Sequence, residues 1–182
     1  MDDLPGDFHE ISPADTNALF HTFDRAGKRA WCYYAPFLTC YHLPPGRCVL
    51  VGRYEDAQFL LARTDRKQTI YNLIVPPIPF DTQAAVGLMD TLQESTGVMP
   101  RVLWADAEDA ELATRVGFTA EEKEQEYYYD PGLVAALEGS GYKELRKRIR
   151  RTERRYSPEF REMISDDIPD CHVLLKQWRR LQ

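Results

Sequence analysis

Between Tyr142 and Tyr156 the sequence carries eight Lys or Arg residues: Lys143, Arg146, Lys147, Arg148, Arg150, Arg151, Arg154 and Arg155. Only two acids, Glu144 and Glu153, oppose them. The segment is +6 in a chain of net charge −6, so the remainder carries −12. Cations at this density attract anions. Arginine outnumbers lysine here, and a guanidinium grips phosphate through two parallel N–H donors where an ammonium offers a point charge. At helical spacing Lys143, Lys147, Arg150 and Arg154 share one flank, with Arg146 and Arg151 close by. Leu145, Ile149, Thr152 and Tyr156 form an opposing, weakly apolar strip. Two uses compete. The helix holds a phosphate-bearing partner (RNA, a CoA pyrophosphate or a lipid head group), or it is a solvated face that balances the acidic stretch from Asp106 to Glu126. That stretch holds eight acids and two bases.

The neighbouring residues offer less. Gly139-Ser140-Gly141 opens the basic run, and backbone amides at a helix start bind anions; the same residues make an ordinary turn. Tyr127, Tyr128 and Tyr129 would alternate across a strand. A tyrosine at the rim could stack a base or act as a general acid; core packing is the competing use. His9, His21, His42 and His172 fit no metal-binding pattern, so no metal site is expected. No nucleophile elbow or Walker loop is present, and Asp65 and Asp130 have no carboxylate partner in sequence. Cys32, Cys40, Cys48 and Cys171 form no C-x-x-C pair, and the regular steps between the first three suit buried strand positions.

The elements that must position these groups read as one domain of 182 residues. Hydrophobic residues at 43% supply a core, and a pI near 5.3 excludes a general nucleic-acid coat. No apolar run is long enough to span a bilayer. The acidic N-terminus lacks a signal core, which makes the cytoplasm the default location. Residues 1–11 read as a flexible leader. Ser12-Pro13-Ala14-Asp15 predicts a helix start with a capping box, continued by Leu19, Phe20 and Phe23 and closed near Gly27. Trp31–Tyr34 and Phe37–Tyr41 read as β-prone, broken at Pro36. Pro44-Pro45-Gly46 predicts a turn. Three strands follow, over Cys48–Arg53, Gln58–Arg63 and Thr69–Val75, as an antiparallel meander. Asp81 predicts the cap of a helix over Thr82–Thr96, with Ala85, Leu88, Met89 and Leu92 inward and Gly97 at its end. Arg101–Ala105 reads as a short strand. Asp106 caps a helix with Leu112, Ala113 and Val116 inward, and Phe118–Tyr129 reads as a strand. The basic helix over residues 142–156 completes a lobe over residues 12–165. Residues 166–182 read as a C-terminal helix or the start of a second repeat. A meander followed by alternating helices and strands gives an α/β or α+β layer fold with a mixed sheet.

Glu126-Tyr-Tyr-Tyr-Asp130, then Leu133, Leu137, Gly139, Tyr142 and Arg146-x-x-Ile149, resembles a family signature. That signature runs Asp-Tyr-Leu-Tyr-Asp, Leu, Leu-x-Gly, Tyr, Lys-Arg-Asn-x-Ile, and belongs to the phosphatidylglycerol lysyltransferase C-terminal domain family. Its members resemble tandem acetyltransferase (GNAT) folds of the Fem-type aminoacyltransferases. Lys147 stands where the signature has Asn, and Thr152 where it has an aromatic residue. The Arg/Gln-x-x-Gly-x-Gly/Ala loop that holds the CoA pyrophosphate in acetyltransferases is missing. The resemblance implies a GNAT-like mixed, largely antiparallel sheet flanked by helices, covering the first repeat only. It implies acyl or aminoacyl transfer to an amine or hydroxyl, from an acyl-CoA or aminoacyl-tRNA donor and with no tightly bound cofactor. The residues nominated on this basis are Arg146, Lys147, Arg150, Arg151 and Arg154 for donor phosphate or RNA, and Tyr127 or Tyr129 as a catalytic hydroxyl. A second GNAT lobe or a homo-oligomer is an expected partner. The rival expectation is a non-catalytic tRNA- or phosphate-binding module whose chemistry lies in a partner lobe.

Overall fold

The computed structural model describes residues 4–65, 67–123, 125–126 and 129–180. The chain forms two compact units, residues 1–126 and 127–182.

The first unit is built on an antiparallel sheet of four strands, β1 (Asp7–Glu10), β2 (Cys48–Tyr54), β3 (Ala57–Asp65) and β4 (Thr69–Leu73), in that spatial order. The meander follows the prediction, with Glu55 at φ +53° in the turn between β2 and β3. β1 corrects the expectation of a loose leader: Asp7 to Glu10 pair with Arg53 to Leu50 of β2. A close approach makes this possible. A Cβ at Gly52 would collide with the Asp7 carbonyl oxygen and the Phe8 ring.

Successive side chains of a strand point to opposite faces. Val49, Val51, Leu60 and Ala62 lie in one core cluster with Leu19 and Phe23 of α1 (Thr16–Arg25) and Ala35 and Leu38 of α2 (Ala35–Tyr41). Leu50, Phe59, Leu61 and Leu73 lie in the other with Ala84, Leu88, Met89 and Leu92 of α3 (Thr82–Thr96). Both faces are covered, so the central strands read as apolar runs rather than alternating ones. The fold is therefore the mixed α/β class that the element order predicted.

The predicted caps form. Asp15 accepts from the Ser12 amide at 2.8 Å and from its hydroxyl at 2.9 Å. Asp81 accepts from the Ala84 amide at 3.0 Å, and Gly97 closes α3 at φ +72°. Residues 101–104 then return to the sheet. Val102 bridges Leu73 in parallel, and the Leu73 amide donates to the Arg101 carbonyl at 2.9 Å. The Leu103 amide donates to the Leu73 carbonyl at 2.8 Å. The four-stranded sheet itself is antiparallel; residues 101–105, expected as a strand, contribute only this isolated parallel bridge. Asp106 caps α4 (Ala107–Arg115) by accepting from the Asp109 amide at 2.8 Å.

Four further expectations give way. Residues 31–41 form a 3-10 turn (Trp31–Tyr33) and α2, not strands. Pro36 sits in the first turn of α2, where no amide is needed, and the rings pack on one another and on Trp104 rather than on strand neighbours. Between residues 118 and 129 no described residue is in a strand; Glu121, Glu122 and Lys123 are all exposed and give a strand no face to bury. Phe20 and Val116, expected inward, are exposed, whereas Asp109 of α4 is buried. Of the cysteines only Cys48 occupies a strand; Cys40 is exposed on α2, and all four are free thiols.

The described residues of the second unit form three α-helices, α5 (Pro131–Ala136), α6 (Lys143–Tyr156) and α7 (Ile168–Arg180). Asp130 caps α5, accepting from the Gly132 amide at 2.7 Å and the Leu133 amide at 3.2 Å. Gly139, at φ +83°, turns the chain into a 3-10 turn (Ser140–Tyr142) that leads into α6. α6 is the predicted basic helix.

Candidate functional site

The nominated cations fall into two groups on α6. Arg146 is partly committed. Its Nη1 donates to the carbonyls of Leu137 and, at 2.9 Å, Gly139. These oxygens follow α5, so Arg146 ties the corner before α6 and keeps its other guanidinium donors. Lys147 lies 3.9 Å from Glu144 in an exposed pair, an arrangement that contributes little. Arg150, Arg151 and Arg154 are exposed, and among the described residues none has a hydrogen bond or ion-pair partner. Arg155 stacks on Tyr156, with its guanidinium carbon 5.2 Å from the ring centroid. Leu145, Ile149 and Tyr156 are exposed on the other strip. The helix thus offers a row of uncompensated guanidinium groups. Tyr129 is exposed, and Tyr127 lies outside the described residues.

The first unit treats charge in the opposite way. Lys28, just after α1, places its Nζ 2.6 Å from Asp109 Oδ1 and 3.0 Å from Asp106 Oδ2. The Tyr33 hydroxyl donates to Asp109 Oδ2 at 2.6 Å. Burial pulls the Lys28 pKa down, but the hydrogen bonds to Asp109 and Asp106 outweigh it and the net shift is upward. Burial and the bond to Asp109 push the Tyr33 hydroxyl far above its ordinary value. Burial, then the Glu126 carboxylate, pushes the Cys32 thiol up to about 12, so it is no nucleophile. This network joins α4 to the turn after α1. A tyrosine that keeps its proton and a lysine that keeps its charge are fixed parts of a scaffold.

Sequence reasoning found Asp106 as a cap but missed Lys28, Tyr33 and Asp109. The one available signal was a second acid three residues into α4; its partner lies far away in sequence and is visible only once the chain has folded. Among the described residues no group of three or more His, Cys, Asp or Glu side chains could hold a metal ion. No helix there is long and apolar enough to cross a membrane.

The model of the family described as phosphatidylglycerol lysyltransferase, C-terminal, matches residues 41–182, more than three quarters of the chain. The chain belongs to the phosphatidylglycerol lysyltransferase C-terminal family. The match takes in the central strands, α3, α4 and the whole second unit, α6 included. Neither the curated proteins nor the solved structures contain a significant match. Membership makes an aminoacyl transferase the coarse functional class of this lysyltransferase-family chain.

Proposed function

We propose that the chain is a GNAT-like lobe of an aminoacyltransferase in which α6 holds the phosphates of the donor. The observation that carries the reading is the row formed by Arg150, Arg151 and Arg154, exposed and unpartnered among the described residues. Arg146 and Lys147 flank that row. The fold supports the GNAT-like part: an antiparallel sheet with one isolated parallel bridge across a helix, covered on both faces. The family's name is that of an enzyme moving a lysyl group to phosphatidylglycerol, which favours a hydroxyl acceptor.

In such a transfer the acceptor attacks the donor's acyl carbon directly. The carbonyl becomes a tetrahedral oxyanion, the old ester bond breaks and the new one forms. Rate then comes from positioning and oxyanion stabilisation rather than from a covalent enzyme intermediate. Tyr129, which is exposed, is the hydroxyl we assign to the rim of that site; Tyr127 lies outside the described residues.

Between aminoacyl-tRNA and acyl-CoA, the connection from β4 to α3 favours the first. It reads Ile74-Val75-Pro76-Pro77-Ile78-Pro79-Phe80-Asp81. Three prolines remove three amide donors, and Pro76 and Pro77 are buried. With the Ile74 and Ile78 amides also committed to the sheet, this loop has few backbone donors to offer a pyrophosphate. The same feature favours the second reading, a tRNA-binding module whose chemistry lies in a partner lobe.

The test is binding of bulk tRNA and of CoA to the wild type and to an Arg150→Glu/Arg151→Glu/Arg154→Glu variant. The proposal expects tRNA to bind, its affinity to fall steeply with salt, and the variant to lose it. Stabilisation by CoA with no tRNA binding would overturn the donor assignment. Transfer activity measured on the chain alone separates the enzyme from the binding module.

A further inference from the structure

The first unit carries exposed aromatic surface that the α6 reading does not use. Phe20 is 55% exposed, Trp31 43% and Tyr34 58%. These rings are not scattered. With Phe23, Tyr33, Asp24, Lys28, Arg29 and Ala30 they line one depression of about 350 Å³ beside α1.

Several of the lining residues are tied to the rest of the first unit. Tyr33, buried in the lining, is fixed by the 2.6 Å bond to Asp109 and by an edge-on contact with Phe23 at 5.6 Å between centroids. Lys28 is anchored to Asp106 and Asp109, so its charge is already met. Trp31 is buttressed by Phe37 and Trp104, each 4.8 Å away between centroids and steeply inclined to it. Its backbone amide points at the Glu126 carboxylate, 3.4 Å from both oxygens. A large ring kept nearly half exposed by such support is a surface prepared for contact rather than one left over from packing.

The chemistry of the lining narrows the ligand. Exposed ring faces bind a planar π-system by stacking. Asp24 and Arg29 form an exposed pair at the rim, 3.3 Å apart. Lys28 is already neutralised, and the Asp24–Arg29 pair is exposed on both sides, an arrangement that contributes little, so a phosphate can displace Asp24 from Arg29 at small cost. A ring that stacks and carries a phosphate is a nucleotide. We propose that this depression is a nucleobase-stacking site, with Trp31 and Tyr34 as stacking faces, Phe20 as a wall and Arg29 as the contact to the attached phosphate. The proposal rests on the functional reading of a nucleotide-bearing donor, and it adds a second binding point on the first unit. The base is supplied either by the single-stranded end of an RNA or by a free nucleotide.

The experiment is a fluorescence titration of the whole chain with the trinucleotide CCA, with AMP, with CoA and with the amino-acid amide of phenylalanine. The wild type and the variants Trp31→Ala, Trp31→Phe, Tyr34→Ala and Arg29→Gln are compared. Loss of one stacking face should weaken base binding about tenfold, and Trp31→Phe should retain most of it. Binding should depend weakly on salt, unlike binding to α6. Saturation by CCA alone assigns the site to an RNA end; saturation by AMP or CoA as well assigns it to a free nucleotide. Both support the proposal. Equal saturation by the phenylalanine amide, or base binding unchanged in both Trp31→Ala and Tyr34→Ala, overturns it. Tyr34 is largely exposed, so Tyr34→Ala keeps the test sound if Trp31→Ala does not fold. The Arg150→Glu/Arg151→Glu/Arg154→Glu variant separates the two claims. It should lose tRNA and keep AMP or CCA, and the stacking variants should keep most salt-sensitive tRNA affinity.

Discussion

Lys28 and the α6 arginines are treated in opposite ways by the same chain. Lys28 is sunk beside two carboxylates, and each bond it makes is within 3.0 Å. Arg150, Arg151 and Arg154 stand in solvent with no opposing acid among the described residues. A charge that folding has buried against its partners cannot lose one of them without cost and has little left for a ligand. A charge left unmatched contributes little to stability and is available to bind. The difference teaches where to look: not where cations are dense in sequence, but where the fold leaves them uncompensated.

The largest effect should come from breaking the matched region. Asp109→Ala leaves Lys28 buried with half its compensation and should cost about 3–5 kcal/mol of unfolding free energy. Chemical denaturation measures it. If the cost is under about 1 kcal/mol, the network is not the scaffold described. Leu61→Ala, in the sheet core, should cost a comparable amount, about 2–5 kcal/mol, which calibrates the comparison.

The next effect is on pH. Lys28 and Tyr33 both have folded-state pKa values above their ordinary 10.5 and 10.0. Each therefore holds its proton more tightly when folded. Their contribution is fully present below about pH 10 and is lost as pH rises past it, because the unfolded chain releases those protons first. The melting temperature should fall on alkaline titration, and the fall should be shallower in Tyr33→Phe. An identical alkaline profile in that variant would remove Tyr33 from the account.

The smallest stability effect belongs to the unmatched region. Reversing Arg150, Arg151 and Arg154 to Glu should change unfolding free energy by no more than about 0.5 kcal/mol per site. Arg146→Gln should behave differently from its neighbours. It should loosen the corner between α5 and α6, read as faster amide exchange around Leu137 and Gly139, because its Nη1 serves those carbonyls.

Much of this arrangement is legible in the sequence. The meander, the Asp81 and Asp106 caps, Gly97 and the basic helix all follow from local chemistry, and all are present. The aromatic run from Trp31 to Tyr41 misleads because β-propensity measures fit to a half-buried surface. A 3-10 turn and a short helix bury those rings equally well when Trp104 supplies the partner. The short polar strand β1 is invisible in sequence because its pairing is licensed by Gly52, a residue of the partner strand. Arg146 cannot be told from Arg150 in sequence, since only the position of the carbonyls after α5 separates a corner tie from a free guanidinium. Propensity places Trp31 and Tyr34 in a strand, and their exposure becomes visible only with the depression they line.

The central claim is that the exposed α6 arginines hold phosphate. The direct measurement is the salt dependence of tRNA affinity for the wild type and for the Arg150→Glu/Arg151→Glu/Arg154→Glu variant. The account predicts that log affinity falls linearly with log salt for the wild type. It predicts that the variant binds more weakly with a slope shallower by about 3, one for each phosphate that the substituted arginines no longer neutralise. Equal affinity and equal slope in the two proteins would contradict it.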